Sequence, residues 1–275
     1  MIKIDVHDVC LSYGRKIVLS GLTFQLRPGE IVGLIGPNGC GKSTVIRALS
    51  HIIVPYSGRI LLGEQDITRL SRRDLARSLA VVPQMPLLPS AFMAFEIVLM
   101  GRNPHLGLFQ YEGQKDLDIV WQAMRKTGTQ SLAERRVGEL SGGEIQGLLI
   151  ARALAQETKV ILLDEPTANL DIGRQVEVLD LIRDLCREDN LVVLASLHDL
   201  NLAAQYCDRL ILINNGQIHT EGTPSEVITS DTITSVYGAE RCVYAHPANG
   251  LPCVLLGAGV SRNNSDRRKN SEDME

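Results

Sequence analysis

Residues 36–44 run Gly36-Pro37-Asn38-Gly39-Cys40-Gly41-Lys42-Ser43-Thr44. The spacing is G-x-x-x-x-G-K-S, the pattern of a phosphate-binding loop. Ile31-Val32-Gly33-Leu34-Ile35 precede it as a short apolar run, as expected of a strand buried in a parallel sheet. Residues 44–49 are helix-compatible, so the loop lies between a strand and a helix, the context the motif requires. Its glycines let backbone N–H groups turn inward around phosphate oxygens, and the helix N-terminus adds positive potential. In that arrangement Lys42 reaches the β- and γ-phosphates, and the Ser43 hydroxyl ligates Mg²⁺.

The rest of the chain is ordinary globular material. It has 275 residues, of which 44% are hydrophobic and 22% charged, enough for one large domain or two modest ones. A formal charge of −4 shows no basic excess, which argues against non-specific nucleic-acid binding as the main task. Lys3, Asp5, His7 and Asp8 interrupt any apolar core of a signal peptide. The most apolar long stretch, residues 79–101, carries Pro83, Gln84, Pro86, Pro89 and Glu96, which makes it a poor membrane span. Cys10, Cys40, Cys186, Cys207, Cys242 and Cys253 form no C-x-x-C pair, so free thiols in a reducing setting are expected. Cys40, inside the loop, is either a reactive thiol or a small residue at a tolerant position.

Short apolar strands alternate with helical patterns, which is an α/β signature. Val160-Ile161-Leu162-Leu163 and Leu191-Val192-Val193-Leu194-Ala195 have the composition of buried parallel strands. Residues 172–187 between them keep a helical period, completing a βαβ unit. Asn215-Gly216 marks a hairpin turn. Residues 90–140 differ: they are mostly helical, with 116–127 the clearest helix, and are expected to be a subdomain inserted in the sheet. The polar run 261–275 has the composition of a disordered tail.

Two further elements narrow the chemistry. Asp164 and Glu165 end the strand that starts at Val160. At the carboxyl edge of the sheet, beside the loop, Asp164 is placed to hold the Mg²⁺ shell and Glu165 to orient or deprotonate a water. Leu140-Ser141-Gly142-Gly143-Glu144-Ile145-Gln146 then opens a helix expected to run through Ala155. Ser141 and the N–H groups of Gly142 and Gly143 offer a second anion cradle, although Ser-Gly-Gly also serves as a plain helix cap.

Ser-Gly-Gly-Glu-x-Gln between a phosphate loop and an Asp-Glu strand resembles the ATP-binding cassette (ABC) ATPases over roughly residues 2–260. The resemblance implies a P-loop NTPase of α/β class: an ABC-type core sheet, an antiparallel β subdomain and an inserted helical subdomain. The ATPase domain would span 2–240, with the helical insert at about 90–155, and 241–260 would form a small C-terminal extension. It further implies ATP and Mg²⁺ as ligands. The residues of the loop, 36–44, would hold ATP with Tyr13 stacked on adenine, the alternative for Tyr13 being an ordinary strand aromatic. Ser43, Asp164 and Gln84 would serve Mg²⁺, and Gln84 would also face the membrane subunit. Glu165 and His198 would be catalytic. Ser141, Gly142, Gly143, Gln146 and Asp171 would act in trans on a partner's nucleotide, with Asp171 equally a helix N-cap. One departure stands out: Ile145 and Gly147 occupy positions where the family commonly carries basic residues, and Gly147 costs about 1 kcal/mol of helix stability.

The signature in trans implies a head-to-tail homodimer closed by ATP. The short span between Gln84 and Ser141 is similar to the compact insert of transporters and excludes a long coiled-coil insert. A stand-alone cassette implies an importer subunit on the cytoplasmic face of the cell membrane, beneath two permease subunits and served indirectly by a substrate-binding protein, with no nucleic-acid partner. The stretch Phe95-Glu96-Ile97-Val98-Leu99-Met100-Gly101-Arg102-Asn103-Pro104-His105 resembles importers of iron–siderophores, haem and cobalamin, and the closing segment with Val236-Tyr237-Gly238, His246-Pro247 and Gly250-Leu251-Pro252 points the same way. Import of another small solute, or a soluble ABC ATPase without a transporter, are the alternatives.

Overall fold

In a computed structural model of the chain, residues 2–84, 87–107, 109–238 and 242–255 are described. The chain opens with β1 (Ile4–Tyr13) and β2 (Lys16–Leu26), an antiparallel pair whose apolar residues point into one core. The strand before the loop is β3 (Ile31–Ile35), buried at all five positions. The helix after the loop, α1 (Lys42–Leu49), begins at the motif lysine, two residues earlier than the sequence suggested. Next come β4 (Ser57–Leu62), β5 (Gln65–Asp66), α2 (Arg72–Ser78) and β6 (Leu79–Val82). The inserted region holds α3 (Ala94–Leu99), α4 (Gln114–Lys126) and α5 (Gly142–Ala155).

The chain then returns to the sheet through β7 (Val160–Asp164), α6 (Ile172–Glu188), β8 (Val192–Ser196), α7 (Leu200–Tyr206) and β9 (Arg209–Asn214). It closes with β10 (Gln217–Gly222), α8 (Pro224–Val227), α9 (Ser230–Tyr237), β11 (Cys242–Ala245) and β12 (Pro252–Leu255). The main sheet has the order β10-β9-β3-β8-β7-β6, parallel from β9 to β6 with β10 antiparallel at the edge. A second, antiparallel sheet has the order β2-β1-β4-β5, and β11-β12 form a hairpin.

The main sheet separates two cores. On one face Ile31 and Ile35 of β3 meet α5, α6 and α7; on the other Val32 and Leu34 meet α1 and the antiparallel sheet. A third core lies within the insert, around Ile97, Val120, Met124 and Leu148. Helix α5 joins two of them. Leu149, Ile150 and Ala153 face the sheet, while Leu148, Ala151 and Ala155 face the insert. A helix buried on both sides must be apolar nearly all round, as this one is after Gln146.

Boundaries differ from the sequence reading where polar atoms or register decide them. Helix α4 starts at Gln114, not Asp116, because the Asp116 carboxylate turns back to accept from Gly113 N–H at 3.0 Å and caps the first turn. Strand β8 is displaced by one residue. Leu191 N–H is spent on Cys186 C=O at the end of α6, and Ser196 pairs with Asp164 of β7. The hairpin turn forms at Asn215 and Gly216, both at positive φ, with Gly216 so close to Val18 C=O that a Cβ would lie 2.3 Å away. The tail at 261–275 lies outside the described residues. Among those residues no helix is long and apolar enough to cross a membrane.

The stretch around Arg102 is no solvated turn. Arg102 is 3% exposed; it donates to Asp116 at 2.9 Å, Glu157 at 2.8 Å and Ala155 C=O at 2.6 Å. His105 contacts Gln156 C=O, and Arg73 and Arg77 of α2 each donate to Pro104 C=O. Arg102 thus binds α4 and the end of α5 to its own turn, and Arg73 and Arg77 tie that turn to α2. Removing Arg102 leaves Ala155 C=O without its donor and the Asp116 carboxylate with Gly113 N–H alone, at a cost of about 3 kcal/mol, since Glu157 keeps contact with water. Arg102→Met, which preserves bulk, should lower the urea midpoint without changing the slope.

Candidate functional site

The site forms where β3, β7 and β8 end together. Gly36 lies at φ +146, with Ile213 C=O placed where a Cβ would stand, only 2.2 Å off. Gly41 lies at φ +113, and a Cβ there would meet Leu19 at 2.5 Å. Only glycine fits these two positions. The loop folds back over its own lysine. Lys42 is 5% exposed, and its ammonium donates to Gly36 C=O at 2.8 Å and Pro37 C=O at 3.3 Å. Helix α1 has no acidic residue in its first turn, so its free N–H groups and dipole stay available to an anion. A cavity of about 320 Å³ is lined by Val18, Asn38, Gly39, Gly41, Lys42, Ser43, Thr44, Glu165 and His198.

The carboxylates approach from the neighbouring strands. Asp164 Oδ1 accepts from Ser43 Oγ at 3.0 Å and from Ser196 Oγ at 2.9 Å. Glu165 sits at φ +52, a backbone conformation rare for a residue with a side chain. Its two oxygens contact Gln84 Nε2 and His198 Nε2. Five residues from four separate stretches of the chain therefore meet: Ser43 with Asp164, and Gln84 and His198 on Glu165.

Three sequence-assigned residues belong elsewhere or have a second task. Tyr13 is exposed at the end of β1 and accepts from Arg47 at 3.3 Å, outside the cavity lining. Asp171 caps α6, accepting from Arg174 N–H at 2.9 Å. Ser141 caps α5 in a reciprocal box: Glu144 Oε2 accepts from Ser141 N–H at 2.7 Å and from its hydroxyl at 2.8 Å. The Ser141 N–H is the main reason the Glu144 carboxyl lies below its usual range. Ser141 and Gly142 are exposed, as a surface offered to another molecule must be.

Gln146 is 7% exposed, and its buried Nε2 has no hydrogen-bond partner among the described residues. Gly147 has a local reason. It is buried against Thr129, whose methyl would stand 3.1 Å from a Cβ, so any side chain there requires Thr129 to give way. Ile145 packs against the core beside the sheet.

Cys40 behaves as a packed small residue: burial pushes its thiol up and leaves little thiolate. Burial likewise pushes Cys186 up to about 11 and raises Cys207 strongly. Cys10 is the opposite case. Hydrogen bonds from Ser57 and from Gly21 N–H lower its thiol. Labelling with a disulfide reagent at pH 8 should modify Cys10 well before Cys40, Cys186 or Cys207, the order being read by peptide mass.

Val18 and Ser196 were absent from the sequence reading. Val18 reaches the cavity because the Asn215-Gly216 turn packs on it, and Ser196 reaches Asp164 through strand register. Neither carries a signal within its own stretch of chain.

The parallel sheet, the glycine cradle and the Asp-Glu strand end define a P-loop nucleoside triphosphatase. The chain belongs to the ABC transporter family, whose model matches residues 19–168. It is 38% identical over 258 residues to the achromobactin transport ATP-binding protein of Dickeya dadantii, covering 94% of this chain and 96% of that protein. It is 40% identical over 251 residues to a cobalamin import ATP-binding protein of Halobacterium salinarum, covering 91% of this chain. There the chain spans only 63% of the relative's length. A solved inward-facing ABC transporter, described as of metal-chelate type, superposes with a TM-score of 0.81 at 31% identity, covering 93% of this chain and 98% of that one.

Proposed function

We propose that this chain is the ATP-hydrolysing subunit of an importer of metal chelates, of the iron–siderophore, haem or cobalamin kind. It works as a head-to-tail homodimer on the cytoplasmic face of the cell membrane, beneath two permease subunits that receive cargo from a binding protein. The observation that carries the ATPase reading is the convergence of Ser43 on Asp164, and of Gln84 and His198 on Glu165, around a glycine cradle that holds Lys42. The near full-length likeness to siderophore ATP-binding proteins, and the partial likeness to a cobalamin import ATP-binding protein, support the cargo class.

The donor set fits Mg²⁺. A serine hydroxyl and a carboxylate meet at 3.0 Å beside the loop, and among the described residues no group of three His, Cys, Asp or Glu side chains is arranged for a metal. Such a site leaves the remaining positions to phosphate oxygens and water, as Mg²⁺ prefers. When bound, the ion neutralises charge on the phosphates. The protein does the rest. The loop amides turn to phosphate oxygens, and Lys42 exchanges Gly36 C=O and Pro37 C=O for them. Glu165 takes a proton from the attacking water, and His198 holds it in place. Ser141 and the N–H groups of Gly142 and Gly143 grip the partner's γ-phosphate at the N-terminus of α5. ATP therefore favours the closed dimer, and hydrolysis releases it.

Purification of the tagged chain from detergent-solubilised membranes tests this. A permease with many membrane spans should co-purify at stoichiometric level. A chain recovered only from the soluble fraction, bound to nucleic acid, would overturn the importer reading.

A further inference from the structure

We infer that Ser196 is a positioning residue of the ATPase site, whose single hydroxyl sets the Asp164 carboxylate and the Glu165 backbone in one frame. The inference rests on the roles proposed above for Asp164 and Glu165. Ser196 is the last residue of β8 and is 0% exposed, directly beside Asp164 in the parallel register of β7 and β8. Every other residue of β8 is apolar and buried, as is Leu197 after it. A hydroxyl at that depth is costly unless it is paired. Here both of its capacities are used: it donates to Asp164 Oδ1 at 2.9 Å and accepts from Glu165 N–H at 2.9 Å.

The geometry explains what the pairing achieves. Ser43 and Ser196 both donate to Oδ1 of Asp164, while Oδ2 has no hydrogen-bond partner among the described residues. Two donors on one oxygen fix the rotation of the carboxylate and leave the other oxygen for a cation shell. Ser43 belongs to the loop and must adjust when nucleotide enters; Ser196 belongs to the sheet and need not. The acceptor half of the hydroxyl holds the N–H of Glu165, the residue kept at φ +52. Two residues further on, His198 contacts the Glu165 side chain, and between them Leu197 N–H donates to Leu34 C=O of β3 at 3.0 Å. The end of β8 thus grips Glu165 at backbone and side chain while fastened to the strand that feeds the loop.

The test uses the full chain as the Ser196→Ala and Ser196→Thr variants, with Asp164→Asn alongside. Three quantities are read: steady-state ATPase, thermal unfolding, and the affinity for a fluorescent ATP analogue with Mg²⁺ and with EDTA. Loss of a hydrogen bond to a charged group should lower kcat of Ser196→Ala by about tenfold, equivalent to about 1.4 kcal/mol, and leave KM for ATP within about twofold. The Mg²⁺-dependent gain in analogue affinity should fall several-fold. Ser196→Thr, which keeps the hydroxyl, should recover most of both. Wild-type kcat and Mg²⁺ gain in Ser196→Ala, with or without a lower melting temperature, would overturn the inference, and so would equal losses in both Ser196 variants. Asp164→Asn separates the two levels of argument. If it keeps the Mg²⁺ gain, the reading of the site itself has failed. If it loses the gain while Ser196→Ala does not, the role given to Ser196 alone has failed.

Discussion

Glu165→Gln should bind ATP as the unaltered chain does and turn it over at least about a hundredfold more slowly, the usual contribution of a positioned general base. The amide keeps the size of the carboxylate and can still meet Gln84 and His198, which contact the Glu165 oxygens in the resting site. It cannot take a proton from water. Lys42, Ser43 and Asp164 stay in place, so binding is preserved and the step after it is blocked. ATP should then drive the variant into a dimer that persists, visible by size-exclusion chromatography, while phosphate release stays near background. Turnover at the unaltered rate would remove Glu165 from the reaction.

Ser141→Arg is the second large effect. Ser141 is exposed at the start of α5, far beyond the loop in sequence, and lines no part of the cavity around Lys42. A bulky cation there removes the cap of α5 and fills the space a γ-phosphate would occupy. The cap accounts for about 1 kcal/mol, too little to unfold the chain. Hydrolysis should fall at least about a hundredfold, whereas ATP affinity of the dilute monomer, measured by fluorescence of an ATP analogue, should stay within about twofold. A matching loss of monomer affinity would place Ser141 in the site of its own chain.

The phosphate loop, β3, β7 and the Asp164-Glu165 pair were legible in sequence because each is a local pattern: a fixed spacing, or an apolar run closed by acids. The insert showed itself through helical periodicity between two strand-rich regions, and its third core is formed by those helices. What escaped depends on residues brought together from afar. Ser196 is one serine in an apolar strand, and only the pairing of β8 with β7 puts it on Asp164. Gln146 carries the family's pattern, and the rotation of α5, set by burial on two sides, buries its Nε2. Arg102 gave no sign of its burial, since its partners Asp116 and Glu157 reach it from distant parts of the chain. Gly147 stood out as a missing basic residue and a helix cost, whereas its contact with Thr129 shows only in the fold.

The central claim is that each nucleotide is held between Lys42 of one chain and Ser141 of another. Mixed dimers test it most directly, with every chain carrying Glu165→Gln so that bound ATP stays trapped and can be counted. In one mixture Lys42→Ala on one chain is paired with Ser141→Arg on the other. In the second, both changes sit on one chain and the partner has neither. Head-to-tail sharing puts both defects of the first mixture in the same composite site and leaves the other intact, whereas the second mixture spoils both sites. The first should therefore trap clearly more ATP per dimer than the second. Equal trapping, or the reverse order, would contradict the shared site and point to a cassette that completes its chemistry within one chain.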